Sequence, residues 1–276
     1  MTAVEGGYTP ISVGEIGRDQ TVTANGCPPA GTAAPRPDAW RGFLVGVIGA
    51  RGAGSSLLAM CLAADLASDA SNRGLVLLAD VAGYDLLLGL LGREEAAGGQ
   101  DGPYEAGLEA LLGAYRFVVA DVEADPQLVL GTEPPGAADR AGLAWATLRR
   151  SDLIVVVGTG DTWGVRSLVH NIEALAGFTG AERILPVVNR LPRSFKRRST
   201  AAAEIGRLLA SSAPFETGDP VLIAERSSIG RNGRDRLAQL SPLVRPLAAE
   251  VRMRLATASR VEDMAAQPVL TALVGD

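Results

Sequence analysis

Residues 43–67, FLVGVIGARGAGSSLLAMCLAADLA, constrain the fold more than any other stretch. Phe43 to Ile48 is a short apolar run with β-branched members. Gly49 to Gly54 then places three glycines in six residues, and the segment from Ser55 to Ala67 has helical length and spacing. The order is strand, tight glycine loop, helix. Such a loop turns consecutive backbone N–H groups and the positive end of a helix dipole toward one point, which suits an anion and above all a phosphate. The spacing Gly49-x4-Gly54-Ser55-Ser56 is that of a phosphate-binding loop with Ser55 where a lysine belongs.

Later segments repeat the alternation of buried strand and helix. Leu75 to Leu78 predicts a strand beside the first, ending at Asp80, and Arg116 to Ala120 predicts another, ending at Asp121. Carboxylates at strand ends point into the crevice where α/β sheets bind ligands, and an apolar strand closing on aspartate is how a phosphate-loop protein presents an acid to Mg²⁺. Both also have a plain structural reading, since acids crowd the polar end of any such sheet. Leu153 to Val157, Pro186 to Val188 and Val221 to Ile223 predict further strands. Helices are expected over 104–114, 141–150, 162–176 and 199–211. Ser241 and Pro242 have the chemistry of an N-cap and first turn, opening a last helix with Leu243, Leu247, Val251 and Leu255 inward. Leu86 to Leu91 comes too soon after Asp80 for a parallel crossover, so it is not expected to pair beside Leu75 to Leu78. The fold class is therefore α/β: a doubly wound, mostly parallel sheet with helices on both faces.

Length and composition set the boundaries. With 276 residues and 47% hydrophobic content, the chain can bury one full core over 41–258. The Gly- and Pro-rich 1–40 reads as a disordered tail, and 259–276 as a loose end. Net charge is −5, so no global positive field recruits nucleic acid. Locally, Arg193, Lys196, Arg197 and Arg198 come after Asn189 and Arg190. This run could hold DNA or an acidic partner, or be a solvated helix start. Cys27 and Cys61 are poor candidates for a disulfide or metal site, and His170 falls on the outer face of its helix. No apolar run approaches the roughly 20 residues of a transmembrane helix, and a cytoplasmic protein is expected.

The glycine loop, the strands ending in Asp80 and Asp121, LIVVVG and then PVVNRLP resemble, in this order, the MinD/ParA family of P-loop ATPases over residues 43 to about 257. The resemblance is closest to the pilus-assembly branch of CpaE and TadZ type and to actinobacterial septum-site relatives. It implies ATP and Mg²⁺ as cofactors, with Gly49, Arg51, Gly52, Ala53, Gly54, Ser55 and Ser56 around the phosphates. Ser56 and Asp121 would face the metal, Asp80 and Asp121 would stand near metal and water, and Asn189 with Arg190 would read the adenine edge. It also implies protein partners and a homodimer. Ser55 replaces the lysine that precedes Ser/Thr, Ala82 stands where the family has a second aspartate, and the long switch segment has almost no counterpart. ATP binding and hydrolysis are therefore expected to be weak or lost, in a positioning or assembly regulator. Two other classes share parts of this pattern: a scaffold that no longer binds nucleotide, and a dinucleotide-dependent oxidoreductase using Gly49-x-x-Gly52-x-Gly54 with Asp80.

Overall fold

The computed structural model describes residues 41–81, 103–122, 140–192, 194–212, 218–225 and 233–266. Six strands form one parallel sheet: β1 (Phe43–Gly49), β2 (Val76–Asp80), β3 (Phe117–Val122), β4 (Leu153–Thr159), β5 (Ile184–Leu191) and β6 (Val221–Ala224). The helices are α1 (Ser55–Ser68), α2 (Pro103–Ala114), α3 (Arg140–Arg150), α4 (Thr162–Thr179), α5 (Phe195–Ser212) and α6 (Gly233–Ala266). The strands are near-continuous runs of Val, Ile and Leu because both faces are covered, as a parallel sheet requires.

Alternation along each strand divides the core in two. Val45 and Val47 of β1 face α1 and α6 with Val119, Val155 and Val187. Leu44 and Ile48 face the other way, with Val118, Ile154 and Val188, onto α2, α3, α4 and α5. Leu58, Leu62 and Leu66 of α1 are essentially withdrawn from solvent, and each such leucine contributes about 1.5–3 kcal/mol of burial.

Strand order is β2-β3-β1-β4-β5-β6. The strand ending at Asp80 is therefore not beside β1, as the sequence suggests; β3 lies between them, pairing Val45 with Val119 on one side and Leu78 with Val119 on the other. Consecutive segments need not be neighbours once a crossover is long enough to skip a strand. A dinucleotide-binding sheet runs 3-2-1-4-5-6, with its second strand against the first, so this order also removes the acid that the oxidoreductase reading requires.

Two other local expectations change. α6 does not begin at Ser241–Pro242 but at Gly233, and it continues past Ser259 to Ala266. Pro242 and Pro246 lie four apart on its exposed side, where the carbonyls they leave unbonded can meet water. Leu240, Val244, Leu247, Val251 and Leu255 hold the opposite side against the sheet and α1. Asp65 does not mark a wet face of α1. It is 7% exposed, and its Oδ2 lies 3.0 Å from Nη2 of Arg252 on α6. Leu86 to Leu91 and the two tail regions fall outside the described residues, apart from Ser259–Ala266 within α6.

Candidate functional site

β1 leads to α1 on one face of the sheet, and the chain after β3 leads to α3 on the other. Adjacent strands whose chains leave to opposite faces open a crevice at their carboxyl ends. The loop Ala50–Gly54 lies there. Gly52 and Gly54 have φ of 84° and 88°, a left-handed conformation that side chains resist. Ala53 N–H closes the turn onto the Ala50 carbonyl at 2.9 Å. Gly54 serves as the N-cap of α1, and no side chain caps this helix or places an acid in its first turn. The first amides of α1 and its dipole therefore face the crevice unneutralised by any cap, as a phosphate site requires. Arg51 and Ser56 are exposed beside it, and Ser55 is half-buried.

Asp121 lies level with Val47 of β1, and Asp80 is its register partner on β2. Both extend the series that faces α1. Asp121 sits inside β3, one residue before its end, rather than just after the strand. Among the described residues no group of three or more His, Cys, Asp or Glu could hold a metal ion. Mg²⁺ commonly takes one or two carboxylates plus substrate phosphates and water. Asp121, level with Val47 two residues before the end of β1, and the Ser56 hydroxyl in the first turn of α1 are of that donor type. The residues present thus fit a phosphate with Mg²⁺, with one deficit: Ser55 brings no positive charge.

Asn189 and Arg190 lie within β5, not after it. Arg190 has φ of 59°, the one positive value outside glycine among the described residues, and the β5–β6 register shifts between Val188 and Leu191. This bulge turns Asn189 toward the loop: its Nδ2 donates to the Ala53 carbonyl at 2.8 Å, and its Oδ1 accepts from Arg190 N–H at 2.8 Å. Beside it is a cleft of about 210 Å³ between α1, the ends of β5 and β6, and α6. Leu57, Leu58, Cys61, Leu243 and Val244 make its apolar walls, with Asn189, Arg190 and Glu225 at the polar edge. This is below the ~300 Å³ of a drug-sized pocket.

The basic run separates. Lys196 is exposed and Arg198 half-buried in the first turns of α5, which begins at Phe195 rather than 199; Arg193 lies outside the described residues. His170 is exposed, with Nδ1 4.0 Å from Glu173. Sequence reasoning gave no role to Trp163, 79% exposed at the start of α4 with the Arg166 guanidinium 5.9 Å from its ring. Its position beside the N-cap Asp161 offered no signal of exposure.

These features define a doubly wound α/β protein with the P-loop NTPase fold. The fold is that of the MinD/ParA structures. The MinC:MinD cell division protein complex of Aquifex aeolicus superposes with a TM-score of 0.54 at 16% identity, covering 76% of this chain and 95% of that one. The MinD cell division protein of the same organism gives 0.52 at 16%, covering 76% and 97%. A ParA family ATPase from Chlorobium tepidum gives 0.50 at 15%, covering 76% and 98%. At these identities the likeness is one of fold. No family model and no curated protein matches the chain in sequence. Among the described residues no helix is long and apolar enough to cross a membrane.

Proposed function

We propose that the protein is a positioning or assembly regulator of MinD/ParA type, serving a pilus, septum or partition machine, in which ATP binding is weakened and hydrolysis is lost or very slow. The observation that carries this reading is the uncapped start of α1 behind Gly52 and Gly54, with Asp121 on the strand next to β1 and Ser55 where a lysine would stand. Gly49, Arg51, Ala53 and Ser56 complete the phosphate loop, and the cleft at Asn189 and Arg190 takes the base.

Phosphoryl transfer depends on positioning and on neutralising charge that grows on the γ-phosphate oxygens. Backbone N–H groups bind and orient the phosphates, and Mg²⁺ held by Ser56 and Asp121 would supply part of the neutralisation. A serine donates a hydrogen bond but no charge, and Arg51 is a planar fork where the family uses a point charge. Losing one such electrostatic group costs about 3–4 kcal/mol in the transition state, some hundred- to thousandfold in rate. Partners come from the same resemblance: other proteins of the machine, and a second copy of this chain across the carboxyl-end face. DNA or an acidic partner at Arg193, Lys196, Arg197 and Arg198 is a subsidiary proposal, marked by binding that weakens with salt.

Titration of the purified protein with labelled ATP, ADP and NADP, with and without Mg²⁺, tests the reading. ATP and ADP binding in the micromolar to millimolar range, without steady-state turnover above background, supports it. Robust Mg²⁺-dependent turnover that vanishes in Asp121→Ala makes the protein a competent ATPase. No binding of any nucleotide leaves the scaffold.

A further inference from the structure

The family resemblance assigns Asn189 to the base. Both polar atoms of its side chain bond the backbone instead. Nδ2 donates to the Ala53 carbonyl at 2.8 Å across 136 residues of sequence, and Oδ1 is held by the next backbone amide in the chain. From these contacts we infer that Asn189 is a positioning residue for the phosphate loop, which sets the direction of the loop amides and joins the base cleft to the phosphate site. The functional part of this inference rests on the phosphate-site reading above; the positioning itself does not.

Three observations converge on it. First, few other hydrogen bonds hold the loop among the described residues. Its one internal backbone bond runs from Ala53 N–H to Ala50, and Leu58 N–H to the Gly54 carbonyl begins the helix. Ala53 thus anchors the loop through both of its backbone polar groups: its N–H inside the turn, its carbonyl on β5. A peptide plane fixed at its carbonyl also fixes the N–H of the following residue, which here is Gly54, directly before the first amides of α1.

Second, the fit is steric as well as polar. A Cβ at Gly54 would come within 2.8 Å of Asn189 Nδ2. The absence of a side chain at 54 therefore admits the amide as well as the left-handed backbone. Third, a strained residue directly follows Asn189. Arg190 has φ 59° at the β5 irregularity, and its N–H donates to Asn189 Oδ1. Non-glycine residues are strained in this region and persist where surrounding structure fixes them. With Oδ1 bound by the backbone, the amide is oriented with its NH₂ toward Ala53.

Asn189 and Arg190 also line the cleft. An occupant pressing on their side chains acts on the bond that shapes the loop, so base and phosphate recognition are one coupled event.

The test measures the loop and its anion separately from the base. In the ligand-free protein, amide hydrogen exchange is followed at Ala53 and Leu58, with Val45 and Val47 of β1 as controls for global stability. Asn189→Asp, which keeps the shape but removes the donor, and Asn189→Ala are expected to speed exchange at Ala53 and Leu58 roughly tenfold, as for one lost hydrogen bond, and to leave β1 unchanged. Dissociation constants for ATP and for inorganic tripolyphosphate, which has no base, are then compared in wild type and Asn189→Ala. Equal weakening of both anions is expected. Weakening of ATP with tripolyphosphate unchanged would make Asn189 a base reader and overturn the inference, as would unaltered exchange at Ala53. If neither anion binds wild type, the phosphate-site reading fails by itself and exchange still decides whether Asn189 positions the loop.

Discussion

Asp80 and Asp121 are register partners at the carboxyl ends of β2 and β3, two carboxylates side by side on the face that α1 covers. Like charges directly opposite on neighbouring strands repel, and under the proposed function a cation between them and a bound phosphate would relieve this. Asp121 lies on the strand beside β1, while Asp80 stands one strand further out. Mg²⁺ added with ATP should raise the melting temperature by about 2–4 °C, near 1 kcal/mol for a domain of this size. Asp121→Ala should abolish that increment and Asp80→Ala should reduce it by less. Thermal scans in EDTA and in Mg²⁺ measure it; dominance of Asp80 would move the cation site outward.

The Asp65–Arg252 pair joins α1 to α6 with its carboxylate buried and its guanidinium 37% exposed. Removing the cation leaves a buried charge without its partner, a change that costs 3–5 kcal/mol in fully buried pairs. With Arg252 partly in solvent, Arg252→Ala should cost about 2 kcal/mol. Replacing both residues with alanine should cost less than the sum of the two single changes. Denaturant unfolding of the four proteins yields the coupling, and strict additivity would show that the pair contributes nothing.

Asp161 caps α4, accepting from the Thr159 hydroxyl and, at 2.9 Å, from Gly164 N–H. These bonds, Thr159 first, hold its carboxyl below the ordinary value of 3.8. A depressed carboxyl contributes stability that is complete above the unfolded value and lost as pH falls through the lower, folded one. Asp161→Ala should cost about 1 kcal/mol at neutral pH. The gap to wild type should hold down to about pH 4 and close below it. A gap that persists unchanged at the acid end would mean that the cost comes from packing and not from the carboxylate.

Cys61 is 1% exposed within α1, and burial pushes its thiol up to about 11. Thiolate is the reactive form. In a Cys27→Ser protein, labelling with a thiol reagent at pH 8 should therefore be slow and should track unfolding. Because Cys61 also lines the cleft, a cleft ligand should slow labelling further. Fast labelling in the native state would show that the cleft opens more widely.

The legible parts of the fold were those written in local pattern. The β-branched runs around Val45 and Val155 and the glycines at 52 and 54 announce strand, loop and helix within a few residues. What the sequence did not disclose lies in contacts between distant segments. Asp80 reads as the end of a strand, but which strand neighbours it depends on how far the crossover after β1 reaches. Asp65 carries the polarity of a surface residue, and only the arrival of Arg252 from α6 allows it inside. Pro242 carries the chemistry of a helix start, yet the apolar side from Leu240 to Leu255 outweighs its missing N–H. Asn189 stood out in the sequence only through the family resemblance; that its amide bonds the Ala53 carbonyl depends on a strand irregularity no periodicity reveals.

The placement of β1 has a consequence for how the protein is made. Leu44 binds Asp152, 108 residues later, and the loop after β1 takes its shape from Asn189, later still. At synthesis rates of roughly 5–20 residues per second, the first strand waits on the order of 5–20 s for its partner on that side. A nascent chain therefore holds an apolar strand and an unformed anion loop until most of the sheet has left the ribosome. Chains stalled or cut before β5 should carry the whole glycine motif and still fail to shape it.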